Sequence, residues 1–220
     1  MEVQVTLTLS LVRHGQTEFN VQQRLQGWCD SPLTAPGLAG VRTTAAQLAD
    51  RPFVAAYVSP SGRARATARE ILALHPPVPV VVDPDLREFH FGDFEEQPES
   101  ALLERYNPAR MYAQVLAGTF AGLPGGEAGA TFFHRVTAVF ARIERRHDHG
   151  NVLVVSHGLT LRAYLSVIDP RPMYPLPNAS VSSVEVHADG RHRVVALAVD
   201  YAGHGAPAEV DSVPVPELAS

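Results

Sequence analysis

The sequence contains no lysine; its 18 basic side chains are all arginine. That absence excludes a phosphate loop, which needs its lysine, and a Schiff-base enzyme, which needs an amine. An anion site in this chain has to be built from arginine, histidine and backbone N–H groups. Cysteine is nearly absent as well. With Cys29 alone, no intramolecular disulfide can form, and neither paired-cysteine spacing nor an HExxH run offers a metal site. No run of about 18 apolar residues occurs, so no membrane partner is expected. Met1-Glu2-Val3-Gln4 has no basic start, and the apolar residues that follow are interrupted by Thr6, Thr8 and Ser10, so no secretory signal is read. Together with the single cysteine, this leads to an expected cytoplasmic location. A net charge of -5 argues against nucleic acid as a main partner.

What is present is an ordinary globular composition over 220 residues, enough for one sizeable α/β domain. Strand-like runs fall at Thr6–Val12, Phe53–Val58, Val78–Asp83 and Val152–Ser156. Several lack clean alternation and read as buried on both faces, as in a parallel sheet. Helical patterns lie between them. Thr34 reads as an N-cap, with Pro36 in the first turn and a stripe through Leu38, Val41, Ala45 and Leu48. Further helices are expected over Arg63–Leu74, over Glu99–Leu116 with a break near Asn107-Pro108, over Ala130–His147, and after Gly158. In the Ala130–His147 helix, Phe132, Phe133, Val136, Phe140 and Ile143 form a core-facing stripe. Val181–Val186 and Arg193–Val199 flank Ala188-Asp189-Gly190 and read as a hairpin. The expected fold is therefore α/β, a mostly parallel central sheet with helices on both faces. Residues 1–204 are expected to form one catalytic domain and 205–220 a Pro-rich, flexible tail. No internal repeat or interdomain linker is visible.

Two strands end in the same way. The run Leu9–Val12 stops at Arg13-His14-Gly15, and the run Val152–Ser156 stops at His157-Gly158. In open α/β sheets the ligand sits beyond the carboxyl ends of the strands. Two histidines in that position, each followed by a glycine, suggest that a ligand approaches the backbone there. A third strand leads into Ser61-Gly62-Arg63, which directs an arginine to the same end of the sheet, while Arg65 and Arg69 read as solvated. A fourth leads to Glu88 in a loop. Arginines match phosphoryl oxygens by charge-assisted hydrogen bonds. A neutral imidazole can attack phosphorus, and a carboxylic acid can protonate a leaving oxygen. The collection reads as phosphoryl transfer through a phosphohistidine.

These residues resemble the histidine phosphatase, or phosphoglycerate mutase-like, superfamily. The resemblance covers nearly the whole chain and rests on LVRHGQTEFN, SPSGRARATA, LREFHFGDFEE and VSHGLTLRA. It implies that His14 is the nucleophile, that Arg13, Arg63 and His157 hold the phosphoryl group, and that Glu88 is the proton donor. It further implies that Asn20, Gln26, Gly27 and Gly158 line the substrate pocket, and that no metal or other cofactor is needed. The chain departs from the family pattern in three places. The acid loop usually continues W-E-G but reads Phe94-Glu95-Glu96 here. The loop often written G-G-E-S is Gly125-Gly126-Glu127-Ala128. A final strand that often ends N-D-x-x-H-L reads Val199-Asp200-Tyr201-Ala202-Gly203-His204. These departures touch the substrate-facing cap more than the phosphate pocket.

The expected partner is a small phosphorylated metabolite, with a homodimer left as an open option. Three readings of function remain. The first is a phosphomonoesterase. The second is a cofactor-dependent phosphoglycerate mutase, disfavoured because such mutases of the family have a longer stretch between acid and second histidine, and use lysine. The third is a non-catalytic phosphate-ligand binder, disfavoured because His14 is retained. His147-Asp148-His149 reads as a solvated turn rather than a metal site. His90 could face the ligand, and Glu127 could either line the pocket mouth or favour the N-terminus of the following helix.

Overall fold

A computed structural model describes residues 5–169 and 175–203. The expected tail at 205–220, and His204, lie outside the described residues. The chain runs β1 (Val5–Arg13), α1 (Glu18–Val21), α2 (Ala35–Leu48), β2 (Phe53–Val58), α3 (Gly62–Leu72), β3 (Val80–Val82), α4 (Glu99–Leu103), α5 (Pro108–Leu116), α6 (Gly129–Arg146), β4 (Gly150–Ser156), α7 (Gly158–Ile168), β5 (Val181–His187) and β6 (His192–Val199). Thr34 caps α2 by accepting from Gly37 N–H (2.9 Å). Asn107 caps α5 by accepting from Arg110 N–H (3.0 Å), which explains the break in the Glu99–Leu116 pattern. The β3 strand is shorter than Val78–Asp83, and Val80 and Val82 are exposed, as befits an edge.

The sheet order is β3-β2-β4-β1-β5-β6. From β3 to β1 the pairing is parallel, and β5 and β6 add an antiparallel hairpin beside β1. The sheet is thus mixed, with the expected parallel part at its centre. Along β1, β2 and β4 successive residues serve different layers. Leu9, Leu11, Tyr57, Val152 and Val154 join Phe132, Val136 and Leu161 in one core. Val12, Ala56, Val58, Leu153 and Val155 join Ala45, Leu48, Ala64 and Ile71 in the other. Burial on both faces is why these strands read as continuous apolar runs. Each fully buried Val, Leu, Ile or Phe among them contributes roughly 1.5–3 kcal/mol relative to exposure. The helix after β1 covers one face and the helix after β4 the other, although the two strands are neighbours. That opens a crevice at their carboxyl ends.

Candidate active site

Parallel register sets Arg13 opposite Ser156, so the residues that follow, His14 and His157, leave the sheet side by side. The His14 N–H donates to the Ser156 carbonyl (3.0 Å), and the two rings lie 5.2 Å apart at 61°. His14 Nδ1 is 2.8 Å from the Gly15 carbonyl. A carbonyl can only accept, so Nδ1 carries the proton and Nε2 keeps its lone pair. His157 Nε2 lies 2.7 Å from the Ser59 hydroxyl, at the end of β2. With that hydroxyl donating, the proton of His157 sits on Nδ1, which is buried without a hydrogen-bond partner among the described residues. Burial first, then the Arg63 and Arg13 guanidiniums, hold His14 well below the ordinary imidazole range. Burial, Arg63, His14 and Arg13 lower His157 in the same way.

Arg63 stands in the first turn of α3 and is almost fully buried. Its guanidinium donates to the carbonyls of Gly27 (2.8 Å) and Cys29 (2.7 Å) and to Asp30 Oδ1 (3.1 Å). Asp30 also accepts from Gly62 N–H (2.6 Å), so one carboxylate serves both the helix start and the arginine. Arg13 donates to the Leu176 carbonyl. The Nε atoms of Arg13 and Arg63 are both buried without a partner among the described residues. Buried donors without acceptors are costly, so a site with three of them is built for an acceptor-rich ligand.

Glu88 follows a short 3-10 turn at Pro84–Leu86 and reaches the first turn of α7. Its Oε1 accepts from the N–H groups of Phe89 (2.9 Å) and Thr160 (3.1 Å) and lies 3.1 Å from the Thr160 hydroxyl, whose one proton goes to the nearer Arg87 carbonyl (2.8 Å). Among the described residues its Oε2 accepts from Leu159 N–H alone (3.0 Å).

The residues expected to line the pocket divide. Asn20 Oδ1 accepts from Thr17 N–H (3.1 Å) in the capping box of α1, and Gln26 Oε1 lies 3.0 Å from the Thr17 hydroxyl. Their carbonyl oxygens thus shape the loop around His14. Gly27 has φ +53°, and a side chain there would run into the Glu95 carboxylate. Gly158 packs beside the Arg13 guanidinium. Gly15 differs from expectation. A Cβ at Gly15 would meet Val41 Cγ2 at 2.5 Å and the Gly37 carbonyl at 3.1 Å, so this glycine lets α2 pack close rather than making room for phosphate.

Several residues around the site were not singled out by the sequence. Arg135, on α6, donates to the carbonyls of Asp85 (2.9 Å), Arg87 (2.7 Å) and Glu88 (2.8 Å). It pairs with Glu127 (2.5 Å), which in turn accepts from His90 N–H (2.9 Å). Glu127 is therefore a brace under the acid loop rather than a wall of the pocket mouth. The only hint was a guanidinium flanking an apolar stripe. Glu95 accepts from the N–H groups of Trp28 (2.8 Å), Cys29 (2.7 Å) and Phe91 (3.2 Å), tying the Gly27 loop to the acid loop. Asn178 donates to the His14 carbonyl (3.1 Å). His90 stacks on Trp28, with centroids 4.5 Å apart. Burial pushes the Cys29 thiol up to about 11, which makes it a poor nucleophile. His147 meets the Tyr57 hydroxyl (3.0 Å). Among the described residues no group of three His, Cys, Asp or Glu side chains gathers as a metal would require, and no helix is long and apolar enough to cross a membrane.

Comparison with known proteins places these features in context. A family model described as the histidine phosphatase superfamily (branch 1) matches residues 9–199. A "Probable phosphoglycerate mutase GpmB" of Serratia proteamaculans is 34% identical over 185 residues, covering 81% of this chain and 85% of the relative. Among solved structures, Bacillus stearothermophilus YhfR superposes with a TM-score of 0.78 at 30% identity, covering 89% of this chain and 99% of its own. A mycobacterial glucosyl-3-phosphoglycerate phosphatase in complex with VO3 superposes with a TM-score of 0.71 at 27% identity, covering 86% of this chain and 98% of its own.

Proposed function

We propose that this chain, which belongs to the histidine phosphatase superfamily (branch 1), is a metal-independent phosphomonoesterase that hydrolyses a small phosphorylated metabolite through a phosphohistidine on His14. One observation carries the reading. Neutral His14, with Nε2 free of its proton, shares the sheet's end with three buried donors that lack acceptors among the described residues: Arg13 Nε, Arg63 Nε and His157 Nδ1. These donors take the phosphoryl oxygens and stabilise the charge that grows on them. Three such groups supply the charge stabilisation that a metal ion would otherwise provide. Asn20, Gln26, Gly27 and Gly158 line the pocket around them.

His14 Nε2 attacks phosphorus in line. The ester P–O bond breaks, and the leaving oxygen takes a proton from Glu88. Glu88 Oε2, which has a single partner among the described residues, is the oxygen with room to carry that proton. Water then attacks phosphorus and gives a proton to the Glu88 carboxylate. The P–N bond breaks, releasing orthophosphate and neutral His14.

The name of the Serratia relative favours a second reading, a mutase that returns the phosphoryl group to its product. A turnover assay separates the two. With a panel of phosphomonoesters that includes 3-phosphoglycerate, orthophosphate should accumulate, and EDTA should leave the rate unchanged. Interconversion of 2- and 3-phosphoglycerate without phosphate release would favour the mutase. Activity lost in EDTA and restored by zinc or magnesium would overturn the metal-independent mechanism.

A further inference from the structure

Next to the phosphoryl site is a cavity of about 200 Å³, whose lining includes Gly27, Trp28, Asp30, Ser61, Arg87 and His157. Its charged groups are not equivalent. Asp30 is committed to Arg63 and to the start of α3. Arg87 has neither a hydrogen-bond nor an ion-pair partner for its guanidinium among the described residues; its one charge contact is with the Trp28 ring, 5.0 Å from the centroid. A guanidinium stacked on a ring keeps its N–H edge available to an oxyanion.

This cation is also held in place. The Arg87 carbonyl accepts from Arg135 (2.7 Å) and from the Thr160 hydroxyl (2.8 Å), which fixes its backbone from α6 and α7. Trp28 is pinned by its indole N–H on the Glu88 carbonyl (2.9 Å) and by its backbone N–H on Glu95 (2.8 Å). A fixed, uncommitted guanidinium in the cavity that also contains His157 is a ready-made oxyanion receptor.

We propose that Arg87 is a specificity residue that reads a second oxyanion, a carboxylate or another phosphate, on the organic part of the substrate. The preferred substrates are thus acidic phosphomonoesters rather than neutral ones. This inference rests on the phosphomonoesterase reading above. The organic part leaves the phosphoryl site on the side where the cavity opens, and Arg87 meets its charge there.

The test uses matched ester pairs. 3-Phosphoglycerate is compared with glycerol 3-phosphate, which replaces the carboxylate by a hydroxymethyl group. Fructose 1,6-bisphosphate is compared with fructose 6-phosphate, for a second phosphate. Wild type should favour the acidic member of at least one pair by about tenfold or more in kcat/KM. The pair that shows the preference identifies the oxyanion. In Arg87→Gln that ratio should fall below about threefold, and Arg87→Lys should keep an intermediate ratio because a point charge remains. The ratio is read within each variant, so a general loss of activity does not obscure it. Absence of a preference in wild type, or an unchanged ratio in Arg87→Gln, overturns the assignment of Arg87 and leaves the phosphatase reading intact. If no ester releases phosphate, the phosphatase reading itself fails and this inference fails with it.

Discussion

The sheet end of the candidate site, where we place the phosphoryl group, and its mouth are built from different material. Arg13, His14 and His157 continue directly from β1 and β4, whose register is fixed over seven residue pairs. Glu88, Arg87 and Trp28 sit on loops held together by side-chain hydrogen bonds from Glu95, Glu127 and Arg135. The first region gets its geometry from the sheet itself. The second is only as precise as its braces. A rigid end suits chemistry common to every phosphomonoester, and a loop-built mouth suits selection among them.

Substitutions should therefore separate the two regions. The largest effect is expected at the sheet end: His14→Ala should lower turnover by about 10³-fold or more on every ester. Glu88→Gln should be nearly as damaging, about 10²–10⁴-fold, on alkyl phosphates, whose leaving oxygen needs a proton. A nitrophenyl ester should lose much less. Equal losses on both ester types would remove Glu88 from the proton-donor role. Arg135→Gln should act through the mouth, costing about tenfold on alkyl phosphates and less on the nitrophenyl ester, because it loosens the acid rather than removing it. The same change strands Glu127, at an expected cost of about 3 kcal/mol in a denaturant titration. A loss of activity equal on both esters would show that Arg135 supports the fold alone.

The smallest effect concerns protons. Burial and the neighbouring arginines lower His14 and His157, so both imidazoles are neutral in the free protein near pH 7. The acid limb of kcat/KM should then fall below the ordinary imidazole value of about 6.5. Arg13→Gln removes a like charge and should move the His14 C2–H titration upward in an NMR experiment. The stability that these neutral histidines contribute is present above the unfolded-state pKa of about 6.5 and is lost as pH falls below it, because the unfolded chain binds the extra protons. A His14 resonance that titrates above pH 7 in the free protein would contradict this electrostatic picture.

The same division decides what could be read from the sequence. A strand that ends in a histidine states where that side chain begins, and two such strands in a parallel sheet state that the histidines meet. Arg63 was legible because Ser61-Gly62 announces a helix start. Ser59, Asn178 and Arg135 act across 98, 164 and about 50 positions of chain, and no local pattern marks such partners. Glu127 was visible as a residue, but its task depends on Arg135 lying opposite it. Gly15 was misread for a related reason: a sequence shows that a side chain is missing, not which neighbour fills the space. The short β3 likewise depends on how much of the Val78–Asp83 run pairs with β2.

The central claim is that His14 becomes covalently phosphorylated, with the sheet end holding and transferring the phosphoryl group and the mouth supplying the acid and choosing the ester. Rapid quenching of wild-type protein with ³²P-labelled substrate in alkali tests it directly. A phosphohistidine survives base and is lost in acid, whereas a phosphoserine behaves in the opposite way. The account predicts base-stable label on the peptide that contains His14 and none in His14→Ala. Label that persists in His14→Ala, or that maps to His157, would contradict it.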